Sequence, residues 1–573
     1  MRRHRLAAVL ALLTVPVACA SLYGVSDLPS AVDAGADAGA HDAKPDVVAR
    51  HDAHTGLDAP SRDSRVDARS SDAGSDDAGH DAGHDAAHDA ALAALAVSPN
   101  PAEIAPGGMV TLTITLAAPA AAPENIVVTG LPSGVTAGAA AIPSGSTTGT
   151  VTLSGNGSVT ASVTAFQVTV GAAVGTGSLI TPGATAALDT TFNQSGVRNT
   201  IPAGGGSGST PEALAVQPNG AILVGGASAS GNGAWELVRI NEDGTLDTAF
   251  NANVVDVNQG ALMPSTGYVA GVGVLPSGQI VVEGFDNGNA SLGVMLFNAD
   301  GTRYAAFGTN GLYEDGPPQS LIQNQMTAAG GIAVNASGDF AAVSNLMTSG
   351  TSNVLITQFT GASHTAQKTH FASPVYAEGI VYQSSGDIVI GGYTSQYGAQ
   401  FYVKEFTPSL SAVSGFGGDF GPDAGSTNQY LTSVGLAEDT AGNLYVAGTD
   451  NSADPAPALL TMTSAGVAQQ AKGYVIPGPF SPMNGSGYVG IACGPTPGVA
   501  MAIANGYDMA GNIVLLARLK FAGGLDTSFN GTGYVTSNTS MTITYNAVAV
   551  DPFGRIIVAG NEGSGFYTFR MWP

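Results

Sequence analysis

Short apolar blocks return along the later two-thirds of this chain at a nearly fixed distance. The segment "ALAVQPNGAILVGG" starts at Ala213, and "AVAVDPFGRIIVAG" starts at Ala547. Five degraded copies lie between them, starting at Gly271, Gly331, Gly379, Gly435 and Ile491. Each reads as an apolar strand, a tight turn and a second apolar strand. The turn depends on a glycine that adopts positive φ, in several units two residues after a proline that presets φ. These glycines are Gly220, Gly278, Gly338, Gly386, Gly442, Gly498 and Gly554, spaced 48 to 60 residues apart. The strands are continuous apolar runs, not strict alternations, which predicts burial on both faces. A third run follows a connection of variable length, as in "WELVRIN" from Trp235 and "VLLARL" from Val514. A fourth, short strand is expected after "LDT-x-F-N-x-x-G", as in "LDTSFNGTGYVT" from Leu525.

Stacked face to face, such units leave unpaired strand edges unless the stack closes on itself. Residues 186–573 are therefore expected to form an all-β ring, a seven-bladed β-propeller with four-stranded blades. The phrases "GTLDTAFN", "GGLDTSFNGTGYV", "AVQPNGAILVGG" and "AVDPFGRIIVAGN" resemble the delta-60 repeat family of bacterial surface propellers. The likeness spans about two-thirds of the chain and is strongest in the first and last units. It implies a propeller fold and brings no shared catalytic residues with it.

One internal pattern bears on closure. Arg239 precedes Asp247 by eight residues, and Arg518 precedes Asp526 by eight. In the second unit both positions change together, to Leu296 and Tyr304. A charge-assisted bond from each third strand to the entry of the next strand is expected. Arg570 has no Asp after it and Asp189 has no Arg before it. These two are expected to meet, so that the first strand after Asp189 completes or abuts the last blade.

Upstream, residues 92–180 alternate apolar and polar positions, as in "MVTLTITL" from Met109 and "SVTASVTAFQVTV" from Ser158. That pattern, with turn signals at roughly 8–12-residue intervals, resembles a bacterial immunoglobulin-like β-sandwich. Between Leu95 and Leu179 the only charged residues are Glu103 and Glu124, so a spacer is expected and not a catalytic unit. Residues 20–91 repeat Asp, Ala, Gly and His, with 14 Asp against 5 Lys and Arg between Ala31 and Ala91. Such a stretch buries too little to offset chain entropy and reads as a disordered linker. His80, His84 and His88 have the spacing of a helical metal site, but Gly83 and the lack of an apolar face favour a solvated stalk. Residues 1–19 read as a signal peptide: Arg2, Arg3 and Arg5, then an apolar core from Leu6 to Val17 too short to span a bilayer. "Pro16-Val17-Ala18-Cys19" resembles the bacterial lipobox, with Pro16 where Leu is usual. Cys19 is the expected lipidation site; the alternative is ordinary cleavage near Ala18 or Ala20. The expected location is the bacterial envelope, as an outer-membrane lipoprotein, or otherwise outside the cell.

Composition narrows the chemistry. Among 573 residues, Gly contributes 79 and Pro 31, and only 11% are charged, against a usual quarter. The net charge of −25 excludes a nucleic-acid partner, because phosphates need neutralising. Membrane contact is expected through the acyl anchor alone. With Cys19 acylated, Cys493 has no partner and reads as a buried free thiol. His364 and His370 lack the carboxylate or Cys support of a metal site. "GGGSGST" from Gly204 lacks the lysine of a phosphate loop. The strand carboxylates Glu236, Glu283 and Glu405 are expected exposed or salt-bridged, or, in pairs, facing a tunnel for acid–base work. No cofactor is expected. The function these features imply is a monomeric, non-enzymatic scaffold that binds a protein or glycan at the cell surface. Partners are expected on loops near Tyr313–Gly330, Gly415–Thr432 and Ile476–Tyr488. Alternatives are an extracellular polysaccharide hydrolase or lyase with a tunnel site, and a purely structural display element.

Overall fold

The computed structural model describes residues 21–22, 95–200 and 209–573, less the segments 228–234, 251–254, 257–266, 287–290, 316–324, 349–350, 373–374, 395–399, 422–430, 451–455, 470–483, 509–510, 540–542 and 563–564. Every regular element among them is a β-strand. Cys19 and the histidines 80, 84 and 88 lie outside the described residues.

Residues 95–181 form two sheets face to face. One runs Leu95–Ser98, Met109–Leu116, Thr148–Gly155, Val135–Ala137; the other runs Ala102–Glu103, Ala173–Thr181, Ser162–Val170, Glu124–Thr129, Ala140–Ile142. Alternation sends one side of each strand inward. Leu112, Ile114 and Val151 from one sheet meet Phe166, Val168 and Leu179 from the other in one core.

After Asp189 the described residues build seven sheets in sequence order. The first contains Thr210–Val216, Ile222–Ala227, Trp235–Ile240 and Val255–Asp256, each strand antiparallel to the one before. The second spans Gly267–Asp315, the third Gln325–Ala372, the fourth Val375–Phe420 and the sixth Asn484–Thr539, with the same order of four strands; in the sixth, Ser21–Leu22 adds a fifth, antiparallel to Tyr534–Thr539. The fifth shows three strands among the described residues, from Leu431 to Met462. In the second strand of the first sheet Ile222, Leu223 and Val224 are all buried, as a run covered on both faces requires. The seven turn glycines Gly220, Gly278, Gly338, Gly386, Gly442, Gly498 and Gly554 hold φ between 78° and 89°, a region closed to most side chains.

The innermost strand of each sheet lies against that of the next. A methyl group on Gly271 would sit 2.9 Å from Ile332 N, and one on Gly379 would sit 2.5 Å from Leu436 N. Gly435 meets Ile491 and Gly490 meets Val548 in the same way. The seventh sheet returns to the first: Asn546 Nδ2 donates to Pro211 O at 2.9 Å, and Asn561 Nδ2 donates to Ser209 O at 2.6 Å. The circuit is thus complete around a central axis.

The seventh sheet is assembled from both ends of this region. Ile543–Val550, Ile556–Glu562 and Phe566–Met571 supply three strands, and Val197–Thr200 supplies the fourth, with Val197 opposite Phe569. The join copies the bonding used within the chain. Asp247 N donates to Arg239 O and Asp526 N donates to Arg518 O; Asp189 N donates to Arg570 O at 2.8 Å. Arg239 Nε donates to Asp247 Oδ2 at 2.7 Å, Arg518 Nε to Asp526 Oδ2 at 2.8 Å, and Arg570 Nε to Asp189 Oδ2 at 2.7 Å. Each arginine also covers the phenylalanine three residues beyond its aspartate: Phe250 at 4.3 Å, Phe529 at 5.7 Å and Phe192 at 4.8 Å. At the join the charges are fully buried and joined by others. Arg555 reaches Asp551 at 2.6 Å, Glu242 at 2.7 Å and Asp189 at 3.5 Å. Burial pulls the Arg570 pKa down, with Arg555 beside it adding to the effect.

Candidate functional site

The axis is a channel of about 660 Å³, walled by residues from all seven innermost strands. Each of these strands slips register at one point against its neighbour, between Pro211 and Ala213, Val269 and Gly271, Ala329 and Ile332, Ala377 and Gly379, Ser433 and Gly435, Tyr488 and Gly490, and Tyr545 and Ala547. A bulge adds a residue and re-aims its side chain. Here the added residues include Glu212, Ala270, Glu378, Val489 and Asn546, and all five line the channel. Behind them comes a ring of Gly or Ala, the residues that let adjacent innermost strands touch.

Among the described residues two carboxylates therefore line the channel, Glu212 from the first sheet and Glu378 from the fourth, and no Lys, Arg or His does. Glu212 is open to channel water but walled in on most sides. That burial drives its pKa up to about 7, against a hydrogen bond with Thr210 that lowers it. Asn546 also lines the channel and commits Nδ2 to Pro211 O.

The strand carboxylates singled out from sequence lie elsewhere, which corrects their expected exposure. Glu236 and Glu405 are buried on third strands and do not line the channel. Glu283 is completely buried on a second strand. It points between the second and third sheets, toward the bulge at Gly330 and Gly331. Those amides approach it and draw its pKa down somewhat, but neither oxygen reaches a hydrogen-bond partner, and burial pushes the pKa up to about 8. His364 packs against Phe307 and Phe340, and burial lowers its pKa. The side chain of His370 lies outside the described residues. Cys493 is a free, half-buried thiol, and desolvation pushes its pKa well up.

Strand direction fixes which mouth matters. Innermost strands enter at the bulge end and leave at the turn glycines, so the carboxylates lie at the mouth opposite those turns. The connections between sheets end at that same mouth. Between sheets with four described strands they differ in length, from Ala372 to Val375 at the shortest to Asp256 to Gly267 and Phe420 to Leu431 at the longest. Most of the three connections singled out from sequence lies outside the described residues.

Residues 217–250 match the family model of a β-propeller domain of unknown function, DUF5122. The chain is a β-propeller repeat protein. No curated protein matches its sequence. Among solved structures, the propeller chain is similar to a protein of unknown function from Dyadobacter fermentans, at 9% identity over 66% of this chain and 100% of that chain, with a TM-score of 0.37. It is similar to prolyl oligopeptidase B from Galerina marginata at 11% identity over 61% of this chain and 46% of that one, TM-score 0.32. A sucrose-6-phosphate hydrolase from Lactobacillus gasseri follows at 8% identity, 67% and 90% coverage and TM-score 0.24. At such TM-scores these likenesses carry no functional argument.

Proposed function

We propose that this is an exported, lipid-anchored envelope protein whose seven-bladed, delta-60-type propeller acts as a non-enzymatic binding scaffold. A disordered linker and an immunoglobulin-like spacer hold the propeller away from an acyl group on Cys19. The observation that carries the reading is the asymmetry of the two faces. One carries the seven glycine turns together with the connections from third to fourth strands. The other carries the strand ends from which the inter-sheet connections run and the acceptor-lined channel mouth, the usual place for recognition on a rigid scaffold. The test is binding of purified envelope polysaccharide and outer-membrane protein fractions to the immobilised full chain by surface plasmon resonance. A variant with residues 316–324, 422–430 and 470–483 replaced by Gly-Ser linkers is run alongside. Binding that the variant loses supports the scaffold. No binding, or equal binding by the variant, overturns it.

One observation favours a second reading. Glu212 and Glu378 face one channel, and Glu212 has the raised pKa of a general acid. Release of reducing ends or unsaturated sugars from the polysaccharide, abolished by Glu212→Gln, would select a glycoside hydrolase or lyase instead.

A further inference from the structure

We infer that the bulge mouth of the channel binds an uncharged saccharide, seated on one arc of the wall made by Asn546, Glu212 and Tyr268. The inference rests on the scaffold reading and deepens it by naming a ligand class for the channel.

The first observation is that the wall is lopsided. Three consecutive sheets bring larger side chains to the bulge level: Asn546 from the seventh, Glu212 from the first and Tyr268 from the second. Asn546 and Glu212 are close neighbours, since Asn546 Nδ2 donates to the carbonyl just before Glu212, Pro211 O, at 2.9 Å. Across the axis, beside Glu378 and Val489, the same level is glycine: Gly330, Gly331, Gly379, Gly435 and Gly490. Side chains on one arc and bare backbone on the other leave a hollow for a ligand. The channel, at about 660 Å³, is of the size that holds small organic ligands, about 300–1,000 Å³.

The second observation is the chemistry of the arc. Glu212 stands hydrogen-bonded to Thr210 with its pKa raised by burial to about 7. Near neutral pH its carboxyl is shared between a form that only accepts hydrogen bonds and one that also donates. The Asn546 side chain carries donors and an acceptor together. Hydroxyl groups, which also donate and accept, match such a surface. An acidic sugar or a phosphate does not, because no Lys, Arg or His among the described residues lines the channel to balance its charge.

The third observation is apolar. Tyr268 lines the channel half-buried, its ring packed against Phe285 with centroids 6.2 Å apart. A tyrosine at a wet wall presents an apolar body and a polar tip. Next to the glycine level comes one aliphatic side chain from every sheet, from Leu214 in the first to Val548 in the seventh. An alkyl ligand would cover that collar but desolvate Glu212 and Asn546 without pairing them. A sugar ring has a hydroxyl rim for the polar pair and C–H faces for Tyr268 and the collar.

The experiment is isothermal titration of the full chain with maltotriose, cellotriose and tri-N-acetylchitotriose. Trigalacturonate serves as the anionic control and 1-hexanol as the apolar one. At least one neutral trisaccharide should bind saturably, and neither control should. Tyr268→Leu and Glu212→Leu should each weaken that binding about tenfold or more, with circular dichroism unchanged. Tyr268→Phe, which keeps the ring, should restore it. Absence of binding by all three trisaccharides, equal binding of either control, or undiminished binding in the two leucine variants overturns the inference. The Gly-Ser variant above keeps the arc and should bind the trisaccharide as the full chain does. Loss of envelope binding and loss of trisaccharide binding are therefore separable failures.

Discussion

Replacing Arg570 by methionine should loosen the ring at the one place where the chain does not hold it covalently. Arg570 is fully buried and reaches Asp189 Oδ2 at 2.7 Å, Glu242 O at 2.6 Å and Thr191 Oγ1 at 3.2 Å. Methionine fills much of the space but leaves the buried Asp189 with Thr191 and the more distant Arg555, at 3.5 Å. Removing one partner of a buried pair costs about 3–5 kcal/mol, a large share of a typical stability of about 5–15 kcal/mol. Asp189→Asn should be comparably harmful, because it strands arginine charge at the same place. The double variant should be more stable than the two single losses together predict, by about 1–3 kcal/mol. Reversing the charges is the wrong control, since an arginine at position 189 would confront Arg555. The assay is urea unfolding followed by tryptophan fluorescence. The chain has two tryptophans. Trp235 lies in the first sheet and Trp572 is buried against Gly183 beside the seam, so both sides of the join report. A loss under about 1 kcal/mol for Arg570→Met, or strict additivity in the double variant, would refute a closure held by this pair.

Two further outcomes follow from the same ring. The Glu283 pKa rises on folding from 4.5 to about 8, so the folded state holds the extra proton. Its share of stability is intact below about pH 4.5, falls as pH rises toward 8 and is flat above that, a swing on the order of 5 kcal/mol. Glu283→Gln should remove that slope, seen as a urea midpoint that changes less between pH 5 and 8; an unchanged slope would place the titration elsewhere. Gly379→Ala should cost about 1–3 kcal/mol, because the added carbon meets backbone of the neighbouring strand at 2.5 Å. Gly415→Ala, with open space around it but φ of 82°, should cost about 1 kcal/mol of backbone strain. Equal losses at the two positions would contradict tight contact between innermost strands.

The repeat was legible because its grammar is local: a glycine at positive φ, apolar runs on either side and an Arg–Asp pair eight residues apart all survive in one dimension. The channel was harder to read because its chemistry depends on two non-local facts. The first is which strand of each unit lies innermost, and four apolar strands look alike in sequence. The second is the bulge, an extra residue that shifts the alternation by one place and turns a side chain from the sheet into the axis. Glu212 and Glu378 owe their position to that shift. A signal existed, since both stand eight residues before their turn glycines, Gly220 and Gly386, and alignment on those glycines puts them in register. Glu283 was misread for a related reason. As an isolated strand carboxylate it looked like a surface charge. Aligned with Gly225, Val343, Gly391, Ala447, Ile503 and Ala559, it is the one acid at a position that packs against the neighbouring innermost strand. Departures from a repeat that closes on itself are therefore more informative than the repeat. The closed ring tolerates small apolar residues at that position, and an unpaired buried acid persists there only against its own desolvation cost.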